Sequence, residues 1–501
     1  MWTRSNANIT NKNTPFITKI VNISIRQAYV PTVLKKAVIN PLIKKLTLDS
    51  QIYKNFRPVS NLCFLSKVIE KVIAMQLIDY IYINKLQLKL QSAYKKYHST
   101  ETAILKVSND ILSAIDNKKC VILILLDLSA AFDTIDHDKL LNHLTVNYGI
   151  EGMALKWLRS YLTERTQTVK IKDVKSREHT LKCGVPQGSV LGPLLFTMYT
   201  SSLGELIQRH GIKYHLYADD TQLYLDVDPH CKTDIKDSLD KLKKCLIEIR
   251  SWMIENCLKL NEEKTEILIL GTAQHTKLLN ISSIDICGKD IRIANSAKNI
   301  GFTLDPTLQL SHQVNNVCKT CYYHIRNIWR IRKSLNVEST KTLVHAMVMP
   351  RLDFMNSLYF GLKNSEIQKL QKVQNAAARL VVLATRRAHI TQHLHDLHWL
   401  PVRQRIKYKM ILTTYKCLHG MGPDYLIDLL ELYKNERNGL RSEDTKLLKE
   451  PLSRLTSFGD RAFRTAAPCL WNKLPFSIRD LDSTATFKKK LKTYLFNEHF
   501  N

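Results

Sequence analysis

The stretch Val121-Ile122-Leu123-Ile124-Leu125-Leu126-Asp127 decides how this chain is read. Six β-branched and leucine residues in a row leave no polar face. A short run apolar on both sides suits a central strand covered by helices. It ends abruptly on an acid. Further on, Tyr214-His215-Leu216-Tyr217-Ala218-Asp219-Asp220-Thr221-Gln222-Leu223-Tyr224-Leu225 reads as strand, tight turn and strand, with two acids at the tip. Working outward, apolar residues Leu65, Val68, Ile69, Val72, Ile73, Met75 and Leu77 predict an amphipathic helix over 64–82. Ser99-Thr100-Glu101-Thr102 caps a predicted helix over 99–116. A helix over 139–161, a short hairpin over 168–172 and 178–182, a helix over 192–206, a helix over 233–256 and a strand over 266–270 follow. Strand and helix therefore alternate to about residue 270, the pattern of an α/β region. Beyond residue 310 long helical stretches dominate, with a boundary expected at 305–315 and a softer one at Thr385-Arg386-Arg387. The Asn- and Thr-rich first 34 residues are expected to be loose.

The chain has 501 residues, of which 45% are hydrophobic and 24% charged, so it can bury a sizeable core. Seventy-four Lys and Arg against 45 Asp and Glu leave a net charge of +29. That excess points to a polyanionic partner, nucleic acid or an acidic membrane surface. The longest aliphatic run falls far short of the ~20 residues of a membrane span, and the polar N-terminus lacks a signal-peptide core. Eleven scattered cysteines do not read as a disulfide framework. The expectation is an intracellular protein of nucleus or cytoplasm, neither secreted nor membrane-bound.

Asp127 at a strand end and Asp219-Asp220 at a hairpin tip stand out by position. Adjacent carboxylates repel unless a cation neutralises them. Hard oxygen donors at strand ends suit Mg²⁺, and two ions about 4 Å apart stabilise both oxygens of an in-line phosphoryl transfer. Each feature alone is also ordinary: an Asp after a strand caps helices, and an Asp pair at a turn is common turn chemistry.

The wider constellation resembles the reverse transcriptases of non-LTR (LINE-type, jockey-like) retrotransposons. Tyr217-Ala218-Asp219-Asp220 resembles their catalytic hairpin, and Leu126-Asp127-Leu128-Ser129-Ala130-Ala131-Phe132-Asp133 their first catalytic motif. Gly184-Val185-Pro186-Gln187-Gly188-Ser189-Val190-Leu191-Gly192-Pro193 resembles the template-gripping motif. Asn55-Phe56-Arg57-Pro58-Val59-Ser60-Asn61-Leu62 and His98-Ser99-Thr100-Glu101-Thr102-Ala103 match two fingers motifs. Trp252-Met253, Leu258-Lys259-Leu260-Asn261 and Lys264-Thr265-Glu266 match the motif after the hairpin. In the tail, Leu397-His398-Trp399-Leu400-Pro401, Leu440-Arg441-Ser442 and Ala466-Ala467-Pro468 match as well. All occur in the family's order.

The resemblance implies an α/β palm-and-fingers polymerase, the right-hand reverse transcriptase fold, followed by a mainly helical thumb and C-terminal extension. The bounds expected are fingers and palm over 35–275, primer-grip region and thumb over 276–385, and the extension over 386–501. It implies RNA-directed DNA polymerisation: a DNA primer on an RNA template attacks incoming dNTPs. Asp127, Asp219 and Asp220 would be the catalytic metal ligands for two Mg²⁺ ions, with Mn²⁺ as a substitute. Phe132 would be a steric gate against the ribose 2′-hydroxyl; core packing is the alternative. Gln187 and Gly188 would lie near the nascent pair and template, Arg57 on the triphosphate, and Lys264 near the departing pyrophosphate. Asn299-Ile300-Gly301-Phe302 with Asp305 resembles the primer grip. A basic helix over 319–341, with Arg326, Arg330, Arg332 and Lys333, could track a duplex through its phosphates, its apolar residues forming the thumb core. Cys318-Lys319-Thr320-Cys321 lacks a second pair at zinc-ribbon spacing, and the His389, His393, His395 and His398 cluster reads as ordinary helix and loop histidines. Endonuclease activity, carried upstream in full-length relatives, is expected to come from elsewhere, and the oligomeric state is open. The alternative to an active polymerase is a silent or domesticated nucleic-acid-binding remnant of such an element.

Overall fold

A computed structural model of the chain describes residues 5–45, 47–129, 131–286, 288–385, 387–433 and 446–500. Ala130, Arg386 and the Leu440-Arg441-Ser442 motif lie outside the described residues. Two compact units are built from interleaved segments: 1–94, 127–211 and 244–264 form one, and 95–126, 212–243 and 265–501 the other.

In the second unit the apolar run becomes the strand Cys120–Leu126. It is interior to a four-stranded antiparallel sheet, flanked by Glu266–Leu270 and Asp220–Val227, with Lys213–Tyr217 at the edge. Residues Val121 to Ile124 are at most 1% exposed, and each aliphatic side chain buried so contributes about 1.5–3 kcal/mol. The helix Thr100–Asp116 packs against this sheet, and its Ile104, Val107, Ile111 and Ile115 are fully buried. Ser99 and Thr102 close a reciprocal capping box at its start.

That helix is also where the C-terminal region is fastened. Asp116 accepts the backbone N–H groups of Arg454 and Leu455 at 3.0 and 2.7 Å. Asn109 accepts that of Arg464 at 2.9 Å, and Glu101 accepts the Ser357 hydroxyl at 2.6 Å. The hairpin Ala297–Asn299 and Phe302–Leu304 turns at Ile300 and Gly301, both at positive φ, and the Asn299 amide donates to Gln222 at 2.8 Å.

In the first unit, Phe56–Asn61, Lys36–Ile43 and Arg165–Ile171 lie side by side, and His179–Leu181 and Val174–Lys175 pair with the last of these. Lys36–Ile43 and Arg165–Ile171 run parallel, and the other pairs named here antiparallel. The helices Phe64–Ile83, His137–Tyr148, Gly152–Leu162, Gly192–Tyr199 and Ser201–Arg209 belong to the same unit.

Four expectations need correction. The N-terminus, expected to be loose, is a helix over Ser5–Arg26, fastened by the Trp157 indole N–H on the Ser24 hydroxyl at 3.0 Å. The helix expected over 139–161 is two, because Gly149 at φ +63° caps the first in the left-handed conformation that glycine adopts cheaply. The helix expected over 192–206 also divides, at Thr200. The basic helix stops at Ile331. There Arg332 is 5% exposed and donates to the carbonyls of Leu335, Leu380 and Val381, so this guanidinium closes a helix junction and does not face solvent.

Candidate active site

Asp127 is the residue directly after the central strand and is half-buried. Its backbone carbonyl accepts the Asn261 N–H at 2.8 Å, and Leu128 and Ser129 then pair with Leu260 and Lys259. This short ladder carries two side chains onto the carboxylate. Lys264 Nζ lies 2.9 Å and Asn261 Nδ2 3.1 Å from Asp127 Oδ2. Lys264 therefore neutralises the acid, where the resemblance puts it near a departing pyrophosphate. Its side chain is 65% exposed against 26% for Asp127, so solvent screens the pair and it is worth at most about 1 kcal/mol.

Asp219 and Asp220 sit at the tip of the hairpin between Lys213–Tyr217 and Asp220–Val227. The last rung pairs Tyr217 with Asp220, leaving a two-residue turn of Ala218 and Asp219. Ala218 holds φ +55°, a conformation that costs a residue with a Cβ about 1–2 kcal/mol. Strain of this kind persists where the surroundings over-determine the backbone. Burial, and after it the Asp220 charge, push the Tyr217 phenol above its ordinary range. Across the sheet Leu126 pairs with Thr221. Asp127 and Asp220 are thus the chain neighbours of the two members of one rung.

Among the described residues no group of three or more His, Cys, Asp or Glu is gathered to hold a metal ion. Two observations bear on fit: the acids are hard oxygen donors at strand ends, and Asp127 already accepts a cation, the Lys264 ammonium. Cys318 and Cys321 lie within the helix Ser311–Ile331, where burial pushes their thiols up to about 11 and about 12.

The loop after Cys183 is fixed on both sides. Gly184 N–H donates to the Ile135 carbonyl at 2.7 Å, and Val185 N–H to the Phe132 carbonyl at 2.9 Å. Ser60 N–H donates to the Gln187 carbonyl at 2.7 Å, and the Gln187 amide reaches Asp133 at 3.3 Å. Gly188 has φ +113°, and a Cβ there would meet the Ser60 carbonyl oxygen at 2.8 Å. No other residue fits that approach. The Phe132 ring is half-buried and stacks on Phe196 with centroids 4.8 Å apart. Arg57 is exposed on its strand opposite Leu42. On the helix Ser311–Ile331, Val314, Val317, Cys321, Ile325 and Ile328 form the packed face, whereas Tyr323 and Trp329 are 56% and 62% exposed.

Sequence reasoning passed over Glu70. It is 1% exposed and accepts the N–H groups of Val190 and Leu191 at 2.6 and 3.2 Å, holding the end of the Gln187 loop from beneath. The signal was present: an acid in register with Ile73 and Leu77, four residues after Ser66, whose hydroxyl donates to it at 3.2 Å. Asn261 and Asp133 stood inside quoted motifs without a role; the structure gives them Asp127 and Gln187 as partners.

Residues 43–304, just over half of the chain, match the family model described as reverse transcriptase (RNA-dependent DNA polymerase). The chain is 27% identical over 380 residues to the "Probable RNA-directed DNA polymerase from transposon BS" of Drosophila melanogaster, covering 73% of this chain and 40% of that protein. It is 26% identical over 372 residues to the same organism's "Probable RNA-directed DNA polymerase from transposon X-element", with the same coverage. The chain thus spans about 40% of the length of these curated relatives. Among solved structures, apo telomerase from Candida tropicalis aligns with a TM-score of 0.41 at 11% identity, over 85% of this chain and 72% of that one.

Proposed function

The chain belongs to the reverse transcriptase (RNA-dependent DNA polymerase) family, and from that premise we propose that it is the RNA-directed DNA polymerase of a non-LTR retrotransposon, extending a DNA primer on an RNA template with dNTPs. Asp127, Asp219 and Asp220 would hold the divalent ions, Mg²⁺ in the first instance. Such ions, when bound, supply Lewis-acid stabilisation of the attacking and leaving oxygens. The chain's own residues do the positioning. The Gln187–Gly188 loop, fastened to Ser60, positions the template and nascent pair. Phe132 guards the sugar position. Arg57, exposed and without an ion-pair partner among the described residues, is free to fork onto a triphosphate. Lys264 balances the Asp127 charge.

The observation that carries this reading is the rung Leu126–Thr221, with an acid next in the chain to each member. Primer extension on an RNA template with dNTPs and Mg²⁺ tests it. The intact chain should extend, and Asp219→Ala should abolish extension while retaining template binding. Equal extension by Asp219→Ala rules out the assigned acids. Salt-sensitive RNA binding by the intact chain with no extension under any divalent ion overturns the polymerase reading in favour of a silent remnant.

A further inference from the structure

The helices Val402–Leu418 and Thr484–Phe500 carry none of the residues assigned above. They pack against each other, with Tyr415 stacked on Phe487 at a centroid distance of 3.9 Å. Lys407 pairs with Glu498 at 2.8 Å, so the two run in opposite directions. The stack brings the next residues, Lys416 and Lys488, side by side. Arg405, Lys409 and Lys416 recur at i, i+4 and i+11, one stripe of the first helix. Lys488 and Lys492, at i and i+4, form the facing stripe of the second. At the far end Arg405, Lys492 and Lys341, from the neighbouring helix Val337–Met347, converge on His345.

Part of this ridge is neutralised and part is not. Glu498 is taken by Lys407, Glu101 by Lys409 and Asp353 by Arg405. Lys341, Lys416, Lys488 and Lys492 form no ion pair among the described residues. Desolvation, and after it the charges of Lys488 and Lys409, hold the Lys416 ammonium below its usual range. Like charges gathered in this way repel, weakly where solvent screens them. Along the first helix the stripe from 405 to 416 extends about 16 Å at 1.5 Å per residue. That is the reach of about five phosphates of one strand at roughly 3.4 Å each.

We infer that this ridge is a second docking surface, which takes the phosphodiester backbone of a nucleic-acid strand. Point charges spaced along a rigid helix pair suit a linear polyanion read without sequence preference. The inference does not depend on the polymerase reading.

The full chain tests it in fluorescence anisotropy with a labelled single-stranded RNA, a single-stranded DNA of the same sequence, and phosphatidylserine vesicles. A triple variant, Lys416→Gln, Lys488→Gln and Lys492→Gln, should bind RNA, DNA or both about tenfold more weakly at physiological salt. The salt slope should shrink by about 2, at roughly 0.7 per released counterion. Loss on RNA alone, on DNA alone or on both supports the surface and tells which strand it takes. A control with Lys232→Gln, Lys236→Gln and Lys244→Gln removes the same charge elsewhere and should change little. Equal loss in the control, unchanged nucleic-acid binding by the triple variant, or loss confined to the vesicles overturns the inference. Unchanged thermal unfolding verifies that the variants are folded.

Discussion

Lys264 and Asn261 both address one oxygen of Asp127, so the acid proposed to bind metal has a cation of its own. Removing that cation should make metal binding easier. We predict that Lys264→Met tightens Mn²⁺ binding two- to fivefold in isothermal titration, the equivalent of about 0.4–1 kcal/mol for an exposed ion pair; weaker binding would contradict this. The Asp127 carboxylate was conspicuous in the sequence because it ended an apolar run. Its partners were not, since strand pairing alone carries Lys264 to it across more than a hundred intervening residues. Phe132 is a second residue-scale test. Its ring is held by Phe196 and so has a fixed position from which to exclude a 2′-hydroxyl. Phe132→Val should raise ribonucleotide incorporation, relative to dNTP, at least about tenfold, an energy difference near 1.4 kcal/mol. An unchanged ratio would reduce Phe132 to packing.

Among the elements, the Gln187 loop has little tolerance for change. Its backbone is fixed by Ser60 above and Glu70 below, and Gly188 admits no Cβ. Gly188→Ala should therefore lower primer extension by about 10²-fold, the scale of a displacement near 1 Å in a positioning element, while thermal unfolding of the chain shifts by only a few degrees. Extension at the wild-type rate would show that this loop does not position the template. The central strand and the acidic hairpin were legible because uninterrupted apolar runs and a sharp polar turn are local signals. The break at Gly149 was legible in principle, from two glycines within four residues. The break at Thr200 was not, since neither flank carries a helix stop. The N-terminal helix was hidden by its Asn- and Thr-rich composition. What orders it is distant: Trp157 on Ser24 and Ser160 on the Val30 N–H.

Across the whole molecule, the main surprise is where the C-terminal region goes. Its fastening to the Thr100–Asp116 helix joins residues more than 250 positions apart, through Asp116 with Leu455 and Glu101 with Ser357. No periodicity reveals such pairs. The same region closes over His215, which is fully buried with its ring 5.0 Å from that of Tyr425. Burial, followed by the charges of Lys106, His98 and Lys95, lowers this imidazole to about 3 from an ordinary 6.5. Between those values the unfolded chain binds a proton that the folded one does not. Stability from this group is thus complete above about pH 6.5 and falls as pH drops toward 3. Urea midpoints between pH 7 and pH 4 should decline less steeply in His215→Leu than in the wild type; identical slopes would contradict the assignment. We propose that acids remote in the chain share divalent ions. Mn²⁺ titration followed by electron paramagnetic resonance, on the wild type, Asp127→Asn and Asp219→Asn, tests it most directly. Either substitution alone should weaken binding at least about tenfold, as loss of a shared ligand requires. Wild-type Mn²⁺ affinity in Asp127→Asn would show that the acid after the central strand and the hairpin acids do not form one site.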